Sequence, residues 1–115
     1  MARYSAVTID HFQHPRNVGR LDDGVMGRVD DPATETTVML YVALVDGVVS
    51  KATFRTLGCS ACIAASSVAT ELLVGRSDGL TRDEIEQALG GLPEDKRYCA
   101  ALVAEASRRA LTQAG

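Results

Sequence analysis

An α+β fold, a small antiparallel sheet with helices packed on one of its faces, is predicted by three features of the chain. Strand-like alternation is confined to the middle, where Val38, Leu40, Val42 and Leu44 alternate with Met39, Tyr41, Ala43 and Val45. Asp46-Gly47 follows, a strong hairpin signal, and a second strand-like run returns from Val48 to Leu57. Beyond residue 60 the apolar residues recur at helical spacing. Strands first and helices after them is the order that places helices together on one sheet face.

The elements follow in order. Ser5 is placed to cap a first short helix, with Ile9 and Phe12 spaced to face a core and Pro15 ending it. Asn17-Val18-Gly19 supplies turn chemistry, and Val25 to Val29 is a weak strand in a segment otherwise mixing Asp, Gly and Arg. The returning strand carries Lys51, Thr53 and Arg55 on one face and Ser50, Ala52 and Phe54 on the other, which predicts one wet sheet face. A helix is predicted over 61–74, with Ala61, Ala64, Val68 and Leu72 on one stripe and Gly75 as its stop. Thr81 and Glu84 form a capping box beside a Leu80–Ile85 staple, and that short helix ends at Gly90-Gly91. The last helix opens near Pro93-Glu94-Asp95 and runs to about Leu111, with Cys99, Leu102, Val103, Ala106 and Ala110 on its buried stripe.

Composition narrows the function. At 115 residues and 46% hydrophobic, residues 1–115 fit one domain with a modest core. A net charge of −3 argues against a nucleic-acid partner, which would select a basic face. No apolar run approaches the ~20 residues that span a bilayer, so no membrane partner is expected. The start of the chain does not read as a signal peptide, and three cysteines are an odd number, so a reducing, cytoplasmic setting is expected.

The chemistry concentrates in Leu57-Gly58-Cys59-Ser60-Ala61-Cys62, where strand gives way to helix. Gly58 allows a sharp turn, and Ser60 is placed to accept from the free amides of the helix start. Cys59 therefore sits at a helix N-terminus with Cys62 one turn on, and the positive dipole end favours thiolate. Thiolate is the form that binds metal or attacks sulfur. The plain alternative makes Cys62 a small core residue. If the start of the last helix meets this junction, Cys99 joins them.

Several blocks resemble the IscU/NifU-type iron–sulfur cluster assembly scaffolds. They are Tyr4-Ser5, Asp10-His11-Phe12, Pro15-Arg16-Asn17-Val18-Gly19, Phe54-Arg55-Thr56-Leu57-Gly58-Cys59, Ile63-Ala64-Ala65-Ser66-Ser67, Glu71-Leu72-Leu73-Val74, and Cys99 with Leu102 and Glu105-Ala106. The resemblance implies an α+β sandwich that is not an enzyme. It builds a cluster on three cysteines and a nearby Asp, takes sulfur from a cysteine desulfurase, and passes the cluster to recipient apo-proteins.

The chain departs from that pattern at its sites. The family's first ligand loop, Pro-Ala-Cys-Gly-Asp, is here Pro32-Ala33-Thr34-Glu35-Thr36, so cysteine, glycine and aspartate are all replaced. The family's His-Cys is Tyr98-Cys99, and its chaperone segment Leu-Pro-Pro-Val-Lys is Leu92-Pro93-Glu94-Asp95-Lys96. Cys59 and Cys99 carry over as ligands; Cys62 is a thiol the family pattern lacks.

Three readings follow. In the first, Cys59, Cys62 and Cys99 form a rearranged cradle for a 2Fe–2S or 4Fe–4S cluster, or for zinc in the resting protein. Its open position would take water, a partner residue or Glu35, while His11 and His14 are structural or solvent-facing. In the second, the chain is a non-catalytic interaction module that binds a desulfurase or a complete scaffold subunit. In the third, Cys59 accepts persulfide and Cys62 or Cys99 resolves it. Lys51 and Arg55 read as a solvated face, Arg108 and Arg109 as partners of Glu105, and Lys96 as either exposed or functional.

Overall fold

The computed structural model describes residues 3–114. Its elements are α1 (Ala6–Gln13), β1 (Val25–Asp31), β2 (Thr36–Val45), β3 (Val48–Leu57), α2 (Ser60–Leu73), α3 (Arg82–Ala88) and α4 (Arg97–Ala114), with a 3-10 turn at Glu94–Lys96 before α4. The three strands form an antiparallel sheet in the order β1-β2-β3. The predicted α+β class is the observed one. Asp46 and Gly47 take φ of 54° and 78°, the two left-handed conformations that a tight hairpin demands.

Helices α2 and α4 lie on one face of this sheet, α2 over β3 and α4 over β1 and β2. Val29, Val38, Leu40, Val42, Ala52 and Phe54 supply the sheet side of the core. Opposite them sit mainly small residues: Ala64, Ala65 and Ala69 from α2, and Ala100, Ala104, Ala106 and Ala110 from α4. Small side chains let the layers approach closely. At Gly27 the approach is extreme, because an added Cβ would lie 2.0 Å from Ala106 O and 2.5 Å from Ala110 N.

Helix α2 is buried nearly all round, so its polar side chains must find partners inside. Ser66 Oγ bonds Cys62 O at 2.8 Å and Thr56 Oγ1 at 2.7 Å. Thr70 Oγ1 donates to Ser67 O and accepts from Asn17 Nδ2. Ser67 Oγ accepts from Arg16 N at 2.9 Å and meets His11 Nδ1 at 2.8 Å. Arg16 takes one of the two acceptor sites of the Ser67 hydroxyl, and the far ring nitrogen of His11, Nε2, faces Glu71 Oε1 at 3.5 Å.

Four expectations are corrected. In α1 the buried residues are Thr8 and His11, while Phe12 is 45% exposed, because the helix presents its polar side to the hydroxyl-lined α2. The outer sheet face is only partly wet: Tyr41 and Thr53, opposite one another across β2 and β3, are buried, and Arg20, Leu21, Asp22 and Gly24 line a groove with Tyr41. On α2 the fully buried leucine is Leu73 and Leu72 is only partly buried, since the helix spans 60–73. The last helix begins at Arg97, after the 3-10 turn that uses up Glu94-Asp95-Lys96. Other local expectations hold. Ser5 caps α1, Thr81 and Glu84 close a capping box over buried Leu80 and Ile85, and Arg108 and Arg109 pair with Glu105.

Gly27→Ala drives a methyl into the backbone of α4, so it lowers unfolding stability by about 1–3 kcal/mol, read as a lower urea midpoint. A second expectation concerns His11, whose pKa is lowered first by burial and then by Arg16, with Glu71 and Asp10 opposing. The unfolded chain then takes up a proton near pH ~6.5 that the fold resists. The stability that His11 contributes is complete above that pH and is lost as pH falls. The melting temperature of His11→Gln declines less steeply than that of wild type between pH 7 and 5.

Candidate metal centre

Three elements bring three sulfurs together. The turn at Gly58 delivers Cys59 to the N-cap of α2, with φ of −78° and ψ of 171°. Its carbonyl accepts from Cys62 N at 3.0 Å and Ile63 N at 3.2 Å, and no side chain caps the helix. Ser60, expected as the cap, is instead the first helical residue, because the turn ends one residue earlier. Cys62 then lies one turn along α2 and points under Cys59. Cys99, in the first turn of α4, arrives from the other side.

Cys59 Sγ stands 3.7 Å from Cys62 Sγ and 3.6 Å from Cys99 Sγ. The three sulfurs all lie within 4.8 Å of one another, and no His, Asp or Glu of the described residues joins them. Cys62 and Cys99 are fully buried and Cys59 is partly exposed. Tyr4, Leu92 and Tyr98 pack around the group.

The thiols influence one another. Hydrogen bonding from Cys99 lowers the Cys62 pKa to about 7 despite burial, with smaller help from Cys59 and Thr36. The complementary shift raises Cys99, first through its bond to Cys62 and then through burial. Burial, then the bond to Cys59, raises Tyr98, so its hydroxyl stays protonated at 3.7 Å from Cys59 Sγ. Lys96 is raised chiefly by the charge of Cys59, which places its ammonium in the field of the site.

The loop before β2 reaches the site without adding a donor of the right kind. Thr36 is buried, and an added Cβ on Gly58 would meet its Cγ2 at 3.1 Å. Thr34 is exposed, and its hydroxyl is spent on Asp31 at 2.8 Å and Thr36 at 3.0 Å. Glu35 is exposed with φ of 54°, a conformation that favours glycine. His11 is buried between α1 and α2, and His14 is exposed. Sequence reasoning missed Thr36 and Tyr98 as neighbours of the sulfurs. The signal for Tyr98 was its place directly before Cys99.

The NifU-like N-terminal domain family matches residues 3–114. A curated relative, iron-sulfur cluster assembly scaffold protein IscU 1 of Archaeoglobus fulgidus, is 42% identical over 94% of this chain and 74% of its own length. The chain belongs to this family. The IscU scaffold protein of Azotobacter vinelandii is 36% identical over 94% of this chain and 91% of its own. Among solved structures, a putative SUF-system scaffold from Fervidobacterium islandicum aligns with a TM-score of 0.70 at 17% identity, over 94% of this chain and 96% of that one. A NifU-like protein from Brucella abortus aligns with a TM-score of 0.58 at 21% identity, over 90% and 76%. At those identities the likeness is one of fold. In this chain the three thiols come together from the N-cap and first turn of α2 and the first turn of α4.

In the folded protein Cys59 reacts with iodoacetamide well before Cys62 and Cys99, which become reactive only on unfolding. Peptide mass spectrometry of briefly alkylated native protein checks this; equal labelling of all three contradicts the enclosed site.

Proposed function

We propose that this chain is an iron–sulfur cluster assembly scaffold or carrier that holds its cargo through Cys59, Cys62 and Cys99. The observation that carries the reading is the mutual approach of the three sulfurs within 4.8 Å. Ligands of one tetrahedral ion with metal–sulfur bonds of about 2.3 Å stand about 3.8 Å apart. The 3.6 and 3.7 Å separations are near that value, which supports a single zinc or iron with one open position. The same spacing suits two thiolates on one iron of a 2Fe–2S unit. The cysteines of a 4Fe–4S cluster each bind a different iron, so a cubane asks these sulfurs to spread. The family relatives named as IscU scaffolds support the functional class.

Partners follow from the same reading: a cysteine desulfurase as sulfur source, and recipient apo-proteins or another scaffold subunit as acceptors. The open position gives a partner residue its place. A second reading, an interaction module of this fold without cargo, draws on the first loop. There Thr34, Glu35 and Thr36 offer no thiolate, and the hydroxyls of Thr34 and Thr36 bond to one another, that of Thr34 also to Asp31.

Metal and acid-labile sulfide analysis after anaerobic purification separates the two. The scaffold reading expects iron with sulfide, or stoichiometric zinc; the module reading expects neither. Cys62→Ala lowers metal retention against a competing chelator by more than about tenfold, or about 1.4 kcal/mol or more of binding free energy, while the fold is kept. Full retention in that variant shows that Cys62 is packing alone and overturns the three-thiolate site.

A further inference from the structure

The three sulfurs are not equivalent. Cys59 reaches solvent from the N-cap of α2, whereas Cys62 and Cys99 have no exposed surface. Cys59 also lies within reach of both of the others, at 3.7 and 3.6 Å. An accessible thiol backed by an enclosed one is the arrangement that thiol–disulfide exchange requires, with the first attacking and the second resolving. Here the resolving role has two occupants. Closing either pair moves the sulfurs from contact to a bond of about 2.05 Å, and all three side chains already converge.

An outside donor meets only Cys59. The exposed Leu57 and Gly58 leave its approach uncrowded, and the Lys96 charge in its field favours an anionic donor. A sulfur atom placed on Cys59 sits beside two thiols that solvent does not reach. Two thiols carry the two electrons needed to take a sulfur atom from the sulfane to the sulfide level.

We propose that this centre reduces the sulfane sulfur of a persulfide to sulfide in a single turnover, Cys59 receiving the sulfur and a buried cysteine releasing it. In the first step the Cys59 thiolate attacks the terminal sulfur of the persulfide R–S–SH. A Cys59–sulfur bond forms, the donor's sulfur–sulfur bond breaks, and R–S⁻ leaves, giving Cys59–S–SH. In the second step the thiolate of Cys62 or Cys99 attacks Cys59 Sγ. The Cys59–cysteine disulfide forms, the bond to the outer sulfur breaks, and HS⁻ leaves with the electron pair. Two cysteines are oxidised by one electron each and one sulfur atom is reduced by two, so no further reductant enters. The choice of persulfide rests on the scaffold reading, because sulfide is the material of an iron–sulfur cluster. Cys62 gives the centre a spare thiol, so that one pair can be spent while a third sulfur stays reduced.

The test uses the reduced, metal-free chain under anaerobic conditions with one equivalent of glutathione persulfide. The expected result is about one sulfide released and about two thiols lost per chain, with a mass about 2 Da lower and a disulfide peptide containing Cys59. Cys59→Ser releases no sulfide above the rate of buffer alone. The single variants Cys62→Ser and Cys99→Ser still release sulfide, each through the remaining partner. The double variant Cys62→Ser/Cys99→Ser stops at a Cys59 adduct about 32 Da heavier. Wild-type protein that keeps all three thiols, or a double variant that releases sulfide like wild type, overturns the proposal. Iron binding by the same wild-type preparation is measured in parallel. Iron without sulfide release removes this inference and leaves the scaffold reading; neither iron nor sulfide release removes both.

Discussion

The close contact of β1 with α4 at Gly27 is the constraint on which the site depends. Because no side chain intervenes, α4 lies flat along β1 and β2, and its backbone at Ala106 and Ala110 touches the strand. A long helix laid down that way has one place for its N-terminus. That place is beside the start of α2, which is held over β3 by Phe54, Ala65 and their neighbours. The meeting of Cys99 with Cys59 and Cys62 thus depends on packing at a glycine and at two alanines about two to three turns along α4 from Cys99. The core is built of small residues for this purpose: bulkier side chains would stabilise more per residue but hold the layers apart.

The second device is the hydroxyl-lined interior of α2. Ser66, Ser67 and Thr70 are fully buried, yet each is bonded to a neighbouring element or to its own helix. These bonds tie β3, α1 and the Asn17 turn to one helix, and so orient the turn of Leu57, Gly58 and Cys59. A buried polar seam of this kind costs little when every member is satisfied and a great deal when one is not. It accounts for a run of serines on a helix that a hydropathy pattern alone would fill with leucine.

At the site itself, burial and mutual hydrogen bonding set the thiols apart. Cys62 is drawn down to about 7 while Cys99 and Tyr98 are driven up, so the group is prepared to carry a negative charge with its neighbours as donors. Lys96 balances that charge from outside. The loop at Thr34, Glu35 and Thr36 lies against Gly58 through Thr36 and offers no thiolate. Glu35 takes a left-handed φ of 54°, a conformation that favours glycine.

Much of this was legible from the chain alone, for a local reason. Hairpin turn, helix caps and stops depend on neighbouring residues, so Asp46-Gly47, Ser5, Thr81 with Glu84 and the 58–62 junction could be read directly. The candidate donors were legible too, since thiols one turn apart at a helix start suit thiolate chemistry. What sequence could not decide was which faces were covered. Phe12 and Thr53 reversed their expected burial because another segment, α2 for one and Tyr41 of the neighbouring strand for the other, determines what each side chain meets. The gathering of Cys99 with Cys59 and Cys62 is of the same kind. Residues forty apart come within 3.6 Å through the packing of α4 on the sheet, and periodicity along one helix carries no information about where a second helix begins in space.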